Sequence, residues 1–312
     1  MAAPIPKVSI GLPVYNGENY LRAALDSILR QDYADFELII SDNASTDATQ
    51  DICLEYAAKD QRIRYYRNET NIGASGNFNC LVELARGKFF KWAAHDDVHS
   101  PEFLRRCVDV IEQAPLTVAL VTPRTEVIDE FGKIVNVPVE SLDTRHPRPH
   151  QRLKDVLRTV RWATALFGLF RTDTLRKTRL IQPFFAADNV LLVEVALMGE
   201  IRELPEKLFQ RRVHPGTSIV ANKNWRKLQV WFDPSQKGLR SFVPPAPRLG
   251  MEIVFAIMRA QLPLRERFLC CLTFVMVWLP RECRRLFMMF RNKIAFRTRL
   301  RKCFDGVPRE SL

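Results

Sequence analysis

Two adjacent carboxylates at the end of an apolar run are the residues best suited to chemistry. Asp96 and Asp97 follow the aromatic run Phe89–Ala94, with His95 directly before them. Such a run is typical of a buried strand, and the carboxyl ends of parallel strands are where open α/β sheets bind ligands. Because adjacent acids repel each other, the pair favours a divalent cation shared with substrate phosphates. The alternative is a solvated turn before the helix predicted from Pro101.

The elements that would position this pair alternate between apolar runs and amphipathic stretches. The predicted strands cover residues 8–13, 36–40, 63–66 and 89–94, and the predicted helices cover residues 19–31, 47–59 and 77–85. This alternation predicts a parallel, doubly wound sheet with right-handed crossovers. Polar residues that follow the strands would meet at one edge as a nucleotide-sized cleft. They are Tyr15, Asn16, Asp42, Asn43, Arg67, Asn68, Asp96 and Asp97.

The second half of the chain has a less regular pattern. It predicts a strand over 118–122, a hairpin over 127–135, a mobile loop over 141–152, a strand over 165–171 and paired short strands over 201–212. A helix is expected from Val190 to Met198, with Gly199 as its C-terminal cap. Asp188 comes just before that helix. The segment from Val213 to Ser218 is expected to be a loop that carries His214.

Composition and charge exclude some classes of protein. The chain has 312 residues, 47% of them hydrophobic, which is sufficient for a substantial core. Residues 251–312 hold 13 Lys/Arg and 5 Asp/Glu, a net charge of +8 out of +12 for the whole chain. The basic character therefore belongs to the tail, which predicts an anionic surface as its partner and no nucleic acid along the body.

Cysteine usage and the amino terminus bear on the compartment. The seven cysteines are odd in number and contain no C-x-x-C pair, so we expect neither a disulfide framework nor a zinc site. The segment 1–7 has no apolar run of signal-peptide length. These features predict a cytoplasmic location, and a peripheral position on the inner face of the plasma membrane follows if the tail binds lipid.

The composition of the tail changes after a predicted linker at Pro244–Pro247. An uncharged run of 12 residues, 268–279, is too short for a spanning helix, which needs about 20 residues. Apolar residues at helical spacing and many arginines follow it. This pattern favours helices that lie in the interface of an anionic membrane. The alternative is a helical subdomain packed on the body.

Four segments in this order resemble the inverting glycosyltransferases of family 2, of the kind that build bacterial cell-surface glycans. The resemblance covers about residues 7–220, and its four segments are 8–16, 40–47, 71–73 and 95–97. It implies the GT-A fold, a Rossmann-like, mostly parallel α/β sheet flanked by helices. The implied domains are a glycosyltransferase domain over 1–243, with a nucleotide-binding half at about 7–125 and an acceptor half at about 126–243, and a basic helical tail over 244–312.

The resemblance also implies roles for individual residues. Asp188 would be the general base near the acceptor, and Asp97, with His214 from the late loop, would hold Mg²⁺ or Mn²⁺. Asp96 would contact the ribose side of the donor. The remaining positions implied to bind the nucleotide sugar are Pro13, Tyr15, Glu18, Asp42, Asn71 and Gly73. From residue type alone, Asp42 could be a turn residue, Asp188 a helix N-cap, His214 a loop histidine and Tyr15 a packing residue.

This chain departs from the family pattern at two positions. The metal motif is often Asp-x-Asp, whereas His95 takes the first position here, and Ala187 stands where an acid often precedes the base. Losing that second acid removes one cause of a raised pKa, so the pKa of Asp188 would depend more on burial.

The resemblance implies transfer of a sugar from a nucleoside-diphosphate donor, more commonly UDP, to a glycan or lipid-linked acceptor. A metal offsets charge on the departing diphosphate, and a carboxylate takes the proton of the acceptor hydroxyl. Two alternatives remain: a nucleotidyltransferase that makes nucleotide sugars, and a non-enzymatic basic protein that binds membrane or nucleic acid. We find no Gly-rich, basic phosphate loop near the amino terminus, which counts against the first of these.

Overall fold

The computed structural model describes residues 5–217, 225–234 and 245–304, with the backbone alone for 225–226 and 285–304. Its first half alternates strands and helices as the sequence predicts. Four strands pair in parallel: β1 lies between β2 and β4, and β3 lies beyond β2. The bounds are β1 Val8–Val14, α1 Leu21–Leu29, β2 Phe36–Asp42, α2 Thr49–Lys59, β3 Ile63–Arg67, α3 Gly73–Leu84 and β4 Phe89–Trp92.

The second half extends this sheet with mixed pairing. The strand order is β3-β2-β1-β4-β8-β6-β9-β5, with β7 paired to β6. β8 is antiparallel to both β4 and β6, and β9 runs parallel to β6. The remaining elements up to β9 are β5 Val98–His99, α4 Phe103–Gln113, β6 Val118–Ile128, β7 Ile134–Val135, α5 Pro149–Thr159, the 3₁₀ helix Thr164–Phe167, β8 Leu169–Arg171, α6 Thr172–Arg176, α7 Ala187–Met198 and β9 Glu200–Arg212.

Both faces of the sheet are covered by helices, which confirms the predicted α/β class. Because side chains alternate along a strand, Leu38 and Ile40 of β2 join one core cluster while Ile39 joins the other. The first cluster packs α1, α2 and α4 against the sheet. The second packs α3, α5 and α7 on the opposite face. The carboxyl ends of β1 and β4 therefore lie between two packed layers.

Several expectations for the second half were wrong. The predicted loop over 141–152 ends at Pro149, which opens α5, and Arg152 is buried because its guanidinium donates to Ala196 O and Leu197 O. The predicted strand 165–171 is a 3₁₀ turn followed by the short β8. The predicted paired strands over 201–212 form the single strand β9, with register shifts against β6. The predicted hairpin over 127–135 is confirmed.

Helix α7 begins earlier than predicted. Ala186, with φ of 67°, is its N-cap residue, so Asp188 lies in the first turn and not before the helix. At the other end Gly199 has φ of −162°, which is extended backbone and not a left-handed cap. A Cβ there would lie 2.6 Å from Thr117 O, so the close approach of another strand requires the glycine.

The tail forms helices that pack on the body in the part that the structure describes. After α8 Trp225–Phe232, α9 covers Pro245–Arg259 and α10 covers Leu264–Phe304. The predicted linker is therefore wrong at 245–247, where the prolines occupy the first turn of α9, a position that tolerates them; Pro244 lies outside the described residues. The division into a domain over 1–243 and a tail stays a prediction.

Specific contacts hold these helices to α5 and α7. Arg259 of α9 pairs with Glu194 of α7 at 3.0 Å, and His150 of α5 pairs with Glu266 of α10 at 2.8 Å. Arg281 of α10 donates to the carbonyl oxygen of Leu157. None of the described helices has an apolar stretch long enough to cross a membrane. The arginines at 285 and beyond lie outside the described side chains.

Candidate active site

A cavity of about 1190 Å³ opens at the carboxyl ends of β1 and β4. It is lined by residues from both halves of the chain. Seven of the ten predicted site residues line it, and three do not: Glu18, Asp42 and Gly73. Those that do are Pro13, Tyr15, Asn71, Asp96, Asp97, Asp188 and His214.

Asp97 is held in place by the end of β9. Its Oδ1 accepts the backbone N–H of Arg212 at 2.8 Å, and the residue is 3% exposed. Burial and the neighbouring Asp96 carboxylate raise the pKa of Asp97 to about 8. Ionisation of Asp97 beside the buried Asp96 therefore costs free energy, which a bound cation would offset.

Asp96 is paired with His214. The Nε2 of His214 lies 3.0 Å from Oδ2 of Asp96, and the N–H of Gly216 points at Nδ1 of the same ring at 3.2 Å. Since Nδ1 accepts that backbone proton, the hydrogen-bond network assigns the imidazole proton to Nε2, which donates to Asp96. Burial is the largest influence on Asp96 and opposes its ionisation, but the bond from His214, the neighbouring His95 and a backbone hydrogen bond together outweigh it and hold the pKa of Asp96 below its ordinary value.

The arginine that organises this corner is Arg212, which the sequence analysis missed. Its Nε donates to Asp96 O at 2.9 Å, and its Nη1 donates to Asp129 O at 3.1 Å. Its guanidinium also lies 4.8 Å from the ring centroid of Tyr20. Arg212 thus joins the Asp96-Asp97 turn to the β6–β7 hairpin. The signal in the sequence was only a basic pair two residues before His214, and a basic pair is far commoner on solvated surfaces.

Asp188 lines the cavity from the second half of the chain. It is half-buried in the first turn of α7, and its Oδ1 accepts the N–H of Asn189 at 2.9 Å. Burial raises the pKa of Asp188, while that hydrogen bond and the charge of Arg211 oppose the rise. Arg211 also lines the cavity, donates to Trp162 O at 2.9 Å and lies 5.0 Å from the Trp162 ring centroid. The prediction that burial tunes Asp188 agrees with this environment.

Asp42 anchors the loop after β2 instead of lining the cavity. It is 0% exposed, and its oxygens accept from Ser45 N, Tyr65 Oη and Arg67 Nη1 at 2.8 to 3.0 Å. The neighbouring Asn43 lines the cavity and donates to Oδ1 of Asn71 at 2.9 Å. Asn43 is therefore the residue of this pair that a nucleotide could meet. It was predicted at this edge of the sheet, but the family resemblance implied Asp42 as the nucleotide contact.

Glu18 and Gly73 hold segments next to the cavity in place without lining it. Oε2 of Glu18 accepts the N–H of Ala48 at 3.0 Å, at the start of α2. Gly73 has φ of +79°, and a Cβ there would lie 2.5 Å from Phe232 O. The loop of Asn71 and Gly73 is thus pressed against α8, and only glycine fits at the contact.

The residues present fit a divalent cation that is shared with a diphosphate. Among the described residues no group of three or more His, Cys, Asp or Glu side chains could form a complete metal site. Asp96 and Asp97 supply two carboxylates, and Mg²⁺ is commonly held by one or two carboxylates together with substrate phosphates. His214 meets Asp96 in this arrangement, so its predicted role as a metal ligand stays a prediction.

Comparison with known proteins shows where the chain belongs among them. The family model of glycosyl transferase family 2 matches residues 9–171. An uncharacterised glycosyltransferase of Rickettsia prowazekii is 38% identical over 125 residues, which are 40% of this chain and 38% of that protein. This chain therefore matches well under half the length of that relative.

Two solved structures show the same fold at low sequence identity. TarS 1-349 of S. aureus, in complex with UDP-GlcNAc, has a TM-score of 0.61 at 18% identity over 84% of this chain and 69% of that chain. The mannosyltransferase PcManGT of Pyrobaculum calidifontis, in complex with GDP-Man and Mn²⁺, has a TM-score of 0.53 at 17% identity over 87% and 80%. Likeness at this identity concerns the fold alone.

Proposed function

The chain belongs to glycosyl transferase family 2, and on that premise we propose that it transfers a sugar from a nucleoside-diphosphate donor to a hydroxyl acceptor with inversion at the anomeric carbon. Its fold is the GT-A fold that the sequence predicted. One observation carries the proposal. The Asp96-Asp97 pair at the end of β4 and Asp188 of α7 line the same cavity, although 91 positions separate Asp97 from Asp188.

Asp188 is the proposed general base. The acceptor hydroxyl gives its proton to the carboxylate of Asp188 while its oxygen bonds to the anomeric carbon. The bond from that carbon to the diphosphate oxygen breaks, and the electron pair leaves with the nucleoside diphosphate. A single displacement of this kind inverts the centre and needs no covalent nucleophile. Burial raises the pKa of Asp188, which makes its carboxylate a stronger base than an exposed one.

Asp97 is the proposed metal ligand, and Asp96 the proposed ribose contact. A divalent cation supplies positive charge for the departing diphosphate. His214 and Arg212 act on this pair by holding Asp96 through its carboxylate and its carbonyl, respectively. Pro13, Tyr15 and Asn71 are proposed to surround the nucleoside, since all three line the same cavity as Asn43, and Asn43 donates to Asn71. Glu18, Asp42 and Gly73 are proposed to support that wall from behind.

The proposed donor is UDP-linked, with Mg²⁺ or Mn²⁺ as the cation. The S. aureus protein holds UDP-GlcNAc and the P. calidifontis protein holds GDP-Man with Mn²⁺, so both nucleosides occur on this fold. The proposed acceptor is a lipid-linked or growing surface glycan.

We also propose that α10 lies on an anionic membrane surface. Its exposed apolar side chains recur every three or four residues and so form one face of the helix. They include Phe268 at 68% and Met276 at 67% exposure, with arginines at 265 and 284 exposed near the two ends of the stretch. An apolar stripe with basic flanks is the pattern of helices that lie in a lipid interface. The stripe is Phe268, Leu272, Val275, Met276 and Leu279.

Calorimetry with UDP, GDP and dTDP tests the donor proposal. Each is titrated with Mn²⁺ and with a chelator, into the wild type, Asp97→Ala and Glu130→Ala as the matched surface control. We expect one nucleotide to bind in the presence of metal, and that binding to disappear in Asp97→Ala alone. Absence of binding of all three to the wild type would refute the proposed function.

Vesicle flotation tests the membrane proposal with the full chain. The variant Phe268→Gln/Met276→Gln changes only exposed side chains, so α9 and α10 keep their contacts with the body. We expect the wild type to float with vesicles that contain anionic lipid and the variant to remain in solution. Equal flotation of both would refute the role of this face.

A further inference from the structure

Besides the region of the proposed donor and base residues, the cavity has a second region with an apolar lining. This region, here called the apolar limb, is lined by side chains of α5, α9 and α10. Its total volume with the donor cleft, about 1190 Å³, exceeds the upper end of the range of about 300–1,000 Å³ for one small-molecule site. The side chains that define the limb are Val156, Leu157, Val160, Leu249, Ile253 and Trp278.

The lining of the limb does not suit a sugar. Hydroxyl groups that leave water need hydrogen-bond partners, and aliphatic side chains offer none. An apolar lining instead stabilises a bound hydrocarbon chain, by roughly 25 cal/mol of free energy for each Å² of apolar surface removed from water. The limb is also a built part of the fold. Ile253 is 2% exposed, and Gly250 lies against Trp278 so closely that a Cβ would come within 2.6 Å of its ring.

Two arginines stand at the carboxyl end of α5, where the limb begins. The guanidinium of Arg281 donates to Leu157 O, and Nη1 of Arg161 donates to the carbonyl oxygens of Arg158 at 3.0 Å and Val160 at 3.2 Å. Both arginines line the cavity. Each guanidinium has five N–H donors in a planar fork that matches phosphate oxygens. Cationic groups next to an apolar channel suit a molecule with an anionic group and a hydrocarbon chain.

The helix that closes the limb also carries the exposed apolar stripe. Trp278 of α10 faces the cavity, while Phe268 and Met276 of the same helix are exposed. One helix thus borders both the channel and the surface that we propose to meet lipid. An amphiphile held in such a surface would lie against the same helix that borders the cavity.

We propose that the apolar limb holds the hydrocarbon chain of a lipid-linked acceptor, with its phosphate at Arg161 and Arg281 and its hydroxyl-bearing end towards Asp188. This inference rests on the proposed function and names the acceptor class of the same site. It assigns α9 and α10 a part in substrate binding in addition to packing on the body.

A series of alkyl phosphates tests the proposal on the full chain. The probes are hexyl, octyl, decyl and dodecyl phosphate, each below its critical micelle concentration, with inorganic phosphate as the reference. Binding is followed by calorimetry and by the fluorescence of tryptophan, since Trp162 and Trp278 line the cavity. We expect affinity to rise roughly fourfold for each added methylene until the limb is filled. Affinity that does not change with chain length would overturn the proposal.

A variant whose apolar limb is filled distinguishes binding in the limb from binding to the exposed apolar stripe of α10. Ala246 lines the cavity near the start of α9, so Ala246→Trp places an indole in the channel without removing a core side chain. Met251→Trp is the matched control, because Met251 lies on the same helix and is 49% exposed outside the cavity lining. We expect Ala246→Trp to lower the affinity for dodecyl phosphate at least tenfold and Met251→Trp to leave that affinity unchanged.

Comparison of the two variants shows whether dodecyl phosphate binds in the apolar limb or on the outer surface. Equal binding of dodecyl phosphate by both variants would place the chain on the outer surface and overturn the proposal. Leu249→Gln, which puts an amide into the limb with little change in volume, gives the same test if Ala246→Trp does not fold. The nucleotide titration is run on each variant in parallel. If the wild type binds a nucleotide with metal but its affinity for alkyl phosphates does not depend on chain length, the proposed acceptor site alone is refuted. If the wild type binds no nucleotide, the proposed function is refuted.

Discussion

Replacing Asp97 by asparagine is expected to stabilise the protein while it abolishes metal-dependent nucleotide binding. Burial and the Asp96 carboxylate raise the pKa of Asp97 from 3.8 to about 8. The folded state therefore binds a proton at this group between those two values, and the unfolded state does not. Since stability falls with pH wherever the folded state holds more protons, Asp97 costs more free energy as pH rises from about 4 to about 8.

The size of the effect follows from the pKa values. Each pKa unit corresponds to about 1.36 kcal/mol, so the cost of Asp97 is up to about 4 kcal/mol at pH 7 and less than half of that at pH 5. Asparagine is neutral at every pH and can still accept the N–H of Arg212. We therefore expect the stability difference between Asp97→Asn and the wild type to grow by about 1.4 kcal/mol per pH unit between pH 5 and pH 7.5.

Urea denaturation of the metal-free protein at half-unit steps of pH measures this difference. Asp109→Asn, an exposed carboxylate on α4, is the control and should leave the pH dependence unchanged. Added Mn²⁺ and nucleotide should reduce the advantage of Asp97→Asn, because ligand at 100 times its Kd stabilises only the wild type, by about 2.7 kcal/mol. A stability difference that is constant from pH 5 to pH 7.5 would refute the claim that Asp97 is protonated when the site holds no cation.

The other predictions concern the base, the histidine and the core. Asp188→Asn should lower the transfer rate by roughly 10²–10⁴ with nucleotide binding within twofold of the wild type, in single-turnover assays and calorimetry; equal loss of both would mean a structural role. The wild-type transfer rate should fall as pH drops through the raised pKa of Asp188, because only the carboxylate accepts a proton. His214→Ala should weaken nucleotide binding by roughly tenfold, since it releases Asp96 from one hydrogen bond to a charged group; unchanged affinity would show that Arg212 alone positions the turn. Glu37→Gln should cost about 2 kcal/mol at pH 7, and less below pH 4.5, because bonds from Arg86, Ser9 and Arg64 outweigh burial and lower the pKa of Glu37, so that its stabilisation is lost as pH falls; a pH-independent cost in urea denaturation would count against this.

The first half of the fold was predictable because its signals are local. Strands such as β1 and β2 are continuous apolar runs, and α1 repeats its apolar pairs every four residues, so pattern and structure agree. Asp96 and Asp97 stood out for the same reason, as charges directly after a buried strand. These features need no knowledge of distant contacts.

The rest depended on contacts that no local pattern encodes. β9 has intermediate burial at many positions and a proline within it, and its pairing with β6 over most of its length makes it one strand. Arg152 sits among charged residues in a sequence that resembles a loop, yet it is buried because it satisfies carbonyls at the end of α7. Asn43 and Asp42 are neighbours of similar type, and the strand alone decides which of them faces the cavity.

The hydrogen bonds from Arg212 and His214 to the Asp96-Asp97 turn limit the order in which the site can form during synthesis. Arg212 and His214 contact Asp97 and Asp96 across 115 and 118 positions of the chain, respectively. A nascent chain that has been synthesised only through β4 can therefore form the parallel strands, but Asp96 and Asp97 still lack the hydrogen bonds from His214 and Arg212. Binding of metal and nucleotide should therefore appear late in synthesis, once the segment through His214 has emerged.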